Sequence, residues 1–212
     1  MSRFIETIKI QNGLPCKLPL HEARLQRTRQ HFFPDAPPTL PLADWLQVPA
    51  DCREGVYKCR VIYAEDLLQV AFSPYTPRPI RTLKLVADNA INYAWKSEDR
   101  SALNRLFAQK GDCDDILIVK NGFLTDSSYS NLAFCDGSAW YTPETPLLQG
   151  VQRERLLREG RIIPASIRVE DLNCFSQIAL INAMLELGDC VVDGANVISL
   201  RIYPTTPDQS LY

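Results

Sequence analysis

The sequence predicts an α+β fold in two parts, on three observations. Short strand-like segments outnumber helical ones. Asn121-Gly122 and Asp136-Gly137 each lie between two apolar runs, which marks hairpins and antiparallel neighbours rather than a doubly wound alternation of strand and helix. Pro74, Pro77 and Pro79 then punctuate one short stretch that is stiff and ill suited to regular structure. Residues 1–79 are therefore expected to form a smaller domain and residues 80–212 a larger one.

A chain of 212 residues, 46% of them hydrophobic, can bury a real core. Lys and Arg number 23 against 25 Asp and Glu, so a net charge of −2 gives no bulk attraction to nucleic acid or an anionic membrane. No apolar run reaches the roughly 18 residues of a membrane span, and Met1-Ser2-Arg3-Phe4 is not a secretory start. A cytoplasmic location is expected. The seven cysteines are scattered and form no C-x-x-C pair, which reads as free thiols in a reducing compartment.

Taken in order, Phe4 to Ile10 alternates Phe4, Glu6, Ile8 and Ile10 against Ile5, Thr7 and Lys9, a strand closed by the turn Asn12-Gly13. Leu20 to Phe33 lacks Gly and Pro and reads as a helix stopped by Pro34. On it His21, Arg24 and Thr28 share one face. Prolines are dense from Pro34 to Pro49, leaving room for a short helical turn around Ala43 to Leu46. Gly55 to Ile62 and Leu67 to Phe72 read as a strand pair, and Leu83 to Ala87 as a further strand. Asp99 to Gln109 has helical core spacing, with Gly111 as its stop. Ile116 to Val119, Phe123 to Thr125, Leu132 to Cys135 and Ala139 to Tyr141 form the two hairpins. Gly150 precedes a helix that runs through Leu157, and strands are expected at Ile163 to Val169, Gln177 to Ile181 and Cys190 to Val192. The polar tail after Pro204 is expected to be loose.

Few residues could carry chemistry. The two histidines, His21 and His31, lie in one helix, so neither a Ser-His-Asp nor a Cys-His arrangement is available, and no acidic cluster accompanies them to make a metal site. Lys96 sits in Tyr93-Ala94-Trp95-Lys96-Ser97, where apolar neighbours would depress its pKa as a Schiff-base lysine requires. It could equally be a surface lysine with its stem along Trp95. Asp126 opens a Ser/Asn-rich segment and is either a functional acid or a turn residue. Gly150-Val151-Gln152 at a helix start can present N–H groups to a phosphate, and Arg24 can add a cation. A lysine, an acid for the pyridine nitrogen and an anion site are what pyridoxal 5'-phosphate asks of a protein.

In this order and spacing the segments resemble the class IV aminotransferase-like (fold type IV) family of pyridoxal-phosphate enzymes. That family includes branched-chain and D-amino-acid aminotransferases and 4-amino-4-deoxychorismate lyases. Phe4-x-Glu6-Thr7-Ile8 matches its opening strand and His21-x-x-Arg24-Leu25 its phosphate-binding arginine motif. Lys96 with Leu103-Asn104-Arg105-Leu106 matches the cofactor lysine and its helix, and Thr125-Asp126-Ser127-Ser128-x-x-Asn131-Leu132 the stretch holding the ring-nitrogen acid. Leu148-x-Gly150-Val151-x-Arg153 matches the phosphate-binding turn. Asn182-Ala183-Met184 matches a second phosphate-facing loop, in a form closer to the lyases. Three features depart from the pattern: Asp126 stands where Glu is usual, Ser97 to Arg100 separate Lys96 from its helix, and the N-terminal part is short.

The resemblance implies a small N-terminal α/β domain, a larger C-terminal domain with a barrel-like sheet, and a homodimer with the cofactor between domains. It implies Lys96 as the cofactor lysine and Asp126 at the ring nitrogen. It also implies phosphate contacts from Arg24, Gly150, Val151, Gln152, Asn182 and Ala183. Tyr57, Lys58 and Arg60, on one strand of the small domain, are candidates for the carboxylate of a small amino substrate, although alternation lets only one set point inward. The implied reaction is a 4-amino-4-deoxychorismate lyase-like elimination of pyruvate. The alternatives are a class IV amino-acid aminotransferase and a degenerate member that serves as a binding protein.

Overall fold

A computed structural model describes residues 2–37 and 41–198. The first sheet is built on β1 (Phe4–Gln11), whose turn Asn12-Gly13 takes the positive φ values, 50° and 79°, that such a dipeptide tolerates. The chain returns as the two-residue β2 (Leu14–Pro15) and enters α1 (Leu18–Phe32). Pro19 lies in the first turn of α1, where a missing N–H costs nothing, so the helix starts two residues before the sequence expectation. After α2 (Leu42–Trp45), β3 (Val56–Tyr63) and β4 (Leu67–Pro74) complete a four-stranded sheet of order β2-β1-β3-β4. Pro74 is thus the last residue of an edge strand, a position that needs no ladder N–H, and the irregular stretch begins after it.

Strands β1 and β3 pair antiparallel from Phe4↔Tyr63 to Gln11↔Val56. One face carries Phe4, Ile8, Ile10, Cys59, Val61 and Tyr63 and packs against Leu25 of α1 and Leu42 of α2. By alternation the other face carries Ile5, Thr7 and Lys9 beside Ile62, Arg60 and Lys58.

The second sheet begins with β5 (Leu83–Ala87), followed after a long connection by α3 (Ser101–Phe107), β6 (Asp115–Lys120) and β7 (Phe123–Ser127). Because β5 and β6 are parallel, a crossover must join them, and it carries Lys96. Then come β8 (Asn131–Cys135), β9 (Trp140–Pro143), α4 (Val151–Arg158), β10 (Ile163–Ala165), β11 (Gln177–Ile181), β12 (Val191–Asp193) and β13 (Val197–Ile198). The order is β10-β9-β8-β7-β6-β5-β13, with β11 and β12 branching from β8. Strand β6 is covered on both sides: Leu117 and Val119 join one core, Ile116 and Ile118 another with Leu103 and Leu106 of α3. That is why it reads as a continuous apolar run. The α+β class follows.

Several other expected elements also change extent. The strand at Ile163 to Val169 stops at Ala165, because Asp171 accepts a hydrogen bond from Arg168 N at 2.8 Å and starts a 3-10 helix, Val169–Cys174. The helix expected at Asp99 to Gln109 is α3 followed by a 3-10 turn, Ala108–Lys110. The strand expected at Cys190 to Val192 is β12, one residue later. The tail after Pro204 lies outside the described residues.

Candidate active site

Strands β7 and β8 touch through a single residue pair, Asp126↔Asn131, with Ser127 N donating to Ser130 O at 2.8 Å. Just before this seam β7 bulges: between the pairs Leu117↔Ser127 and Val119↔Leu124 it has Thr125 and Asp126 where β6 has only Ile118. A bulge re-aims the side chains it carries. Here the strands diverge, and a cavity of about 270 Å³ opens between the two sheets. Its lining includes Ile5, Thr7 and Lys58 of the first sheet, Lys96 and Arg100 of the crossover, and Asp126 with residues 127–131 of the seam. Arg24 of α1, Gly150 and Val151 at the start of α4, and residues 182–184 complete the lining together with the apolar Leu103, Leu147 and Leu148.

Arg24 is fixed before any ligand arrives. Its Nε and Nη2 donate to the two oxygens of Glu6 at 2.8 and 2.5 Å, a bidentate pair. Glu6 is fully buried, and His21 Nδ1 stands 2.6 Å from the same carboxylate. Burial works to raise the Glu6 pKa, but Arg24 and then His21 outweigh it and hold the group at about 2. Burial lowers the His21 pKa, so the neutral ring donates its Nδ1–H to Glu6. The face shared by His21, Arg24 and Thr28 is the face that turns inward.

Lys96 lies against the first sheet by its backbone, whose carbonyl accepts Ile5 N at 2.9 Å. Its neighbour Trp95 packs into the core of that sheet and stacks on His31, 4.6 Å between ring centres. The lysine's stem is therefore not spread over Trp95 at the surface: Lys96 is half-buried and lines the cavity. Its ammonium has no hydrogen bond or ion pair with any described residue. Removal from water, followed by repulsion from Arg24, lowers its pKa from 10.5 to about 7.

Asp126 is buried and held by two donors, Asn131 Nδ2 at 2.9 Å and Leu148 N at 3.0 Å. Burial still raises its pKa from 3.8 to about 7. Asn131 also donates to Leu148 O at 2.8 Å, so one amide aligns the acid with the turn before α4. A Cβ on Gly150 would lie 1.9 Å from Asn131 Oδ1, which explains the glycine. Helix α4 then starts with no side-chain cap, and the N–H groups of Val151 and Gln152 find no acceptor among the described residues. Arg153 does not face the cavity; it braces the turn through Thr142 Oγ1, Pro143 O and Gln149 Oε1.

The structure thus brings Arg24, Lys58, Lys96, Asp126, Gly150, Val151, Asn182 and Ala183 to one cavity. Asn182 shapes its own turn, accepting Met184 N and Leu185 N and donating to Ser130 Oγ. The side chain of Gln152 turns away to Glu186, which also pairs with Lys17 and Arg155 and so ties α1 and α4 to that turn. Tyr57 bonds Asp51 O and packs on the α1 side, and Arg60 pairs with Glu98, so neither lines the cavity. Along the sequence Glu6 and Asn131 stand only as motif residues without an assigned role, and Arg100 carries no role at all. Glu6 had a visible signal, a charge on an otherwise apolar strand face.

The family described as amino-transferase class IV matches residues 3–191. This chain belongs to that family. A protein of Haemophilus influenzae that carries no functional name is 40% identical over 185 residues, 87% of this chain and 98% of its own. A crystal structure from Haemophilus somnus, provisionally named a 4-amino-4-deoxychorismate lyase, is 36% identical, with a TM-score of 0.83 over 88% of this chain and 98% of its own. The branched-chain amino acid aminotransferase of Escherichia coli shares the fold at 14% identity, with a TM-score of 0.69 over 92% of this chain and 78% of its own.

Class IV aminotransferases depend on pyridoxal phosphate, and the donor set of this cavity fits that group. It presents a lysine and helix-start N–H groups that have no partner among the described residues, a fixed arginine beside them, and a carboxyl oriented by an amide.

Proposed function

We propose that this chain is a pyridoxal-phosphate enzyme that eliminates pyruvate from 4-amino-4-deoxychorismate, leaving 4-aminobenzoate. The observation that carries the cofactor reading is the partnerless ammonium of Lys96 in a cavity that also holds Arg24, Asp126 and the open start of α4. The choice of reaction rests on the similarity to the Haemophilus somnus protein and on the Asn182-Ala183-Met184 turn.

When bound, pyridoxal phosphate supplies an aldehyde that captures amines and a ring that accepts the electron pair left by a departing proton. Lys96, with a pKa near neutrality, would be the amine that holds it, and would serve as the base that removes the substrate proton and the acid that returns it. Asp126 holds a proton at the pyridine nitrogen, and Asn131 keeps its carboxyl in place. Arg24 and the N–H groups of Val151 and Gln152 bind the phosphate. Leu103, Leu147 and Leu148 keep water from the reacting atoms.

A second reading, an amino-acid aminotransferase, is favoured by the family itself, since both reactions share every step up to proton removal. The test begins with the visible spectrum of the protein mixed with pyridoxal phosphate. A yellow band, trapped by borohydride on the peptide containing Lys96, is expected. No band, or the same band in Lys96→Ala, overturns the reading. Pyruvate released from 4-amino-4-deoxychorismate with no keto-acid acceptor separates lyase from aminotransferase.

A further inference from the structure

Three non-glycine residues among those described have a positive φ: Asn12, Lys17 and Asn121. The two asparagines open Asn-Gly turns, where such angles are expected. Lys17, with φ 58°, opens none; it precedes α1, and in the left-handed region its Cβ crowds the backbone. A conformation of this kind persists where the surroundings over-determine it, and it gathers at binding sites. The Lys17 side chain is only 8% exposed. Its Nζ donates to Glu186 Oε1 at 2.6 Å and to Ala183 O at 3.4 Å.

Glu186 is the point where three segments meet, and each of them brings groups to the cavity. Its Oε1 takes Lys17, from which α1 runs on to Arg24. Its Oε2 takes Gln152 Nε2 at 2.8 Å and Arg155 Nη2, both from α4, the first of them at that helix's open start. The third segment is its own turn. Glu186 N donates to Asp189 Oδ2 at 2.8 Å, and just before it the bridge Asn182↔Leu185 encloses Ala183 and Met184, which line the cavity with Asn182. Neither Lys17 nor Glu186 lines the cavity. Burial works to raise the Glu186 pKa, but Lys17, then Gln152 and Arg155, outweigh it and keep the carboxylate charged. Exposed ion pairs contribute little to stability, so stability alone does not account for a strained, covered lysine.

We propose that Lys17 and Glu186 are positioning residues for the cofactor's phosphate. Without touching it, they clamp the turn at residues 182–184 to α1 and α4, so that Arg24, the start of α4 and the turn close on one anion. The proposal rests on the function given above, which brings a phosphate to these three segments.

The test compares pyridoxal phosphate with pyridoxal, which has the same ring and aldehyde but no phosphate, by their dissociation constants read from the visible band. Lys17→Met and Glu186→Gln should each weaken pyridoxal phosphate roughly tenfold, the worth of a charged hydrogen bond, and leave pyridoxal unchanged. The double variant should lose no more than either single one, because both act through one clamp. Lys17→Arg, which keeps the charge, should recover most of the affinity. Lys17→Gly, at home in the left-handed backbone, should melt no lower than Lys17→Met and still lose the same affinity, which separates the clamp from the fold. Equal losses for pyridoxal and pyridoxal phosphate, full affinity in the single variants, or additive losses in the double variant overturn the proposal. If no visible band forms, the proposed function fails, and calorimetric titration of the cofactor-free proteins with inorganic phosphate decides the clamp instead. Weaker phosphate binding in the variants than in wild type then upholds it, and equal or absent binding overturns it.

Discussion

Arg24 and Lys96 line the same cavity, yet their surroundings treat a positive charge in opposite ways. Arg24 arrives already paired, its fork closed on Glu6 with His21 behind, so its charge is permanent and its geometry set. Lys96 has no partner among the described residues, and the neighbouring charge of Arg24 helps push its pKa down to about 7. A satisfied cation suits recognition of a fixed anion, whereas an unsatisfied one sheds its proton easily and suits chemistry. Setting a paired cation beside an unpaired one lets one cavity do both.

The largest effect expected from this contrast is kinetic. A lysine at its ordinary pKa of 10.5 is neutral at pH 7 in about one molecule in three thousand, whereas at about 7 half the molecules are neutral. Only the neutral amine attacks an aldehyde. Capture of pyridoxal phosphate should therefore speed up as pH rises through about 7 and run about a thousandfold faster at pH 7 than an ordinary lysine would allow. Growth of the visible band against pH reads this directly, and an inflection near 10 would break the comparison.

Glu6→Gln attacks the other side of the contrast. It leaves Arg24 buried without its counter-charge, a loss of roughly 3–5 kcal/mol in unfolding free energy. The Glu6 carboxyl is held below its ordinary 4.5, so its contribution is fully present above that pH and is lost as pH falls toward about 2. The stability gap between wild type and variant, from denaturant titrations, should close over that acid range. A gap that is small at pH 7, or that ignores acid, would show Arg24 is not held by Glu6.

A smaller effect is steric. Gly150→Ala drives a methyl group against Asn131 Oδ1, and Asn131 cannot retreat without releasing Asp126 and Leu148. The cost should be roughly 1–3 kcal/mol, typical of overpacking. In an Asn131→Ala background it should largely vanish, because the clash partner is gone. Additive losses in the double mutant would show that the amide does not couple acid and turn.

Much of the frame was legible because it is local. Asn12-Gly13 and Asn121-Gly122 form the turns their positive φ values allow, and Gly150 precedes a helix as expected. Lys96, Asp126 and the start of α4 were legible through their order along the chain. What was not legible depends on distant partners. The bulge that re-aims Asp126 exists only against Ile118, and Lys58 and Arg60 part company only because Glu98 claims the arginine. Arg100 looks like any helix-flanking arginine until Ser128 and Tyr93 are placed beside it. The minimal strands β2 and β13 carry too few residues for any periodicity to show.

The smallest expected effect has the opposite sign to the loss of Glu6. Lys96→Met keeps the length of the side chain and removes an unsatisfied charge, so the protein without cofactor should become more stable by on the order of 1 kcal/mol. The sign follows from proton linkage. Folded Lys96 releases its proton near 7 while the unfolded chain keeps it until 10.5, so wild-type stability rises with pH across that window. The penalty that methionine relieves is therefore complete below about pH 7 and fades toward 10.5. Thermal denaturation of both proteins at pH 6 and pH 9 should show the larger gain at pH 6. Added pyridoxal phosphate should then reverse the order, because ligand binding stabilises only the chain that can hold it, and methionine cannot form the covalent link. A methionine variant less stable than wild type at pH 6 would mean that Lys96 is satisfied in the folded protein, and the contrast with Arg24 would collapse.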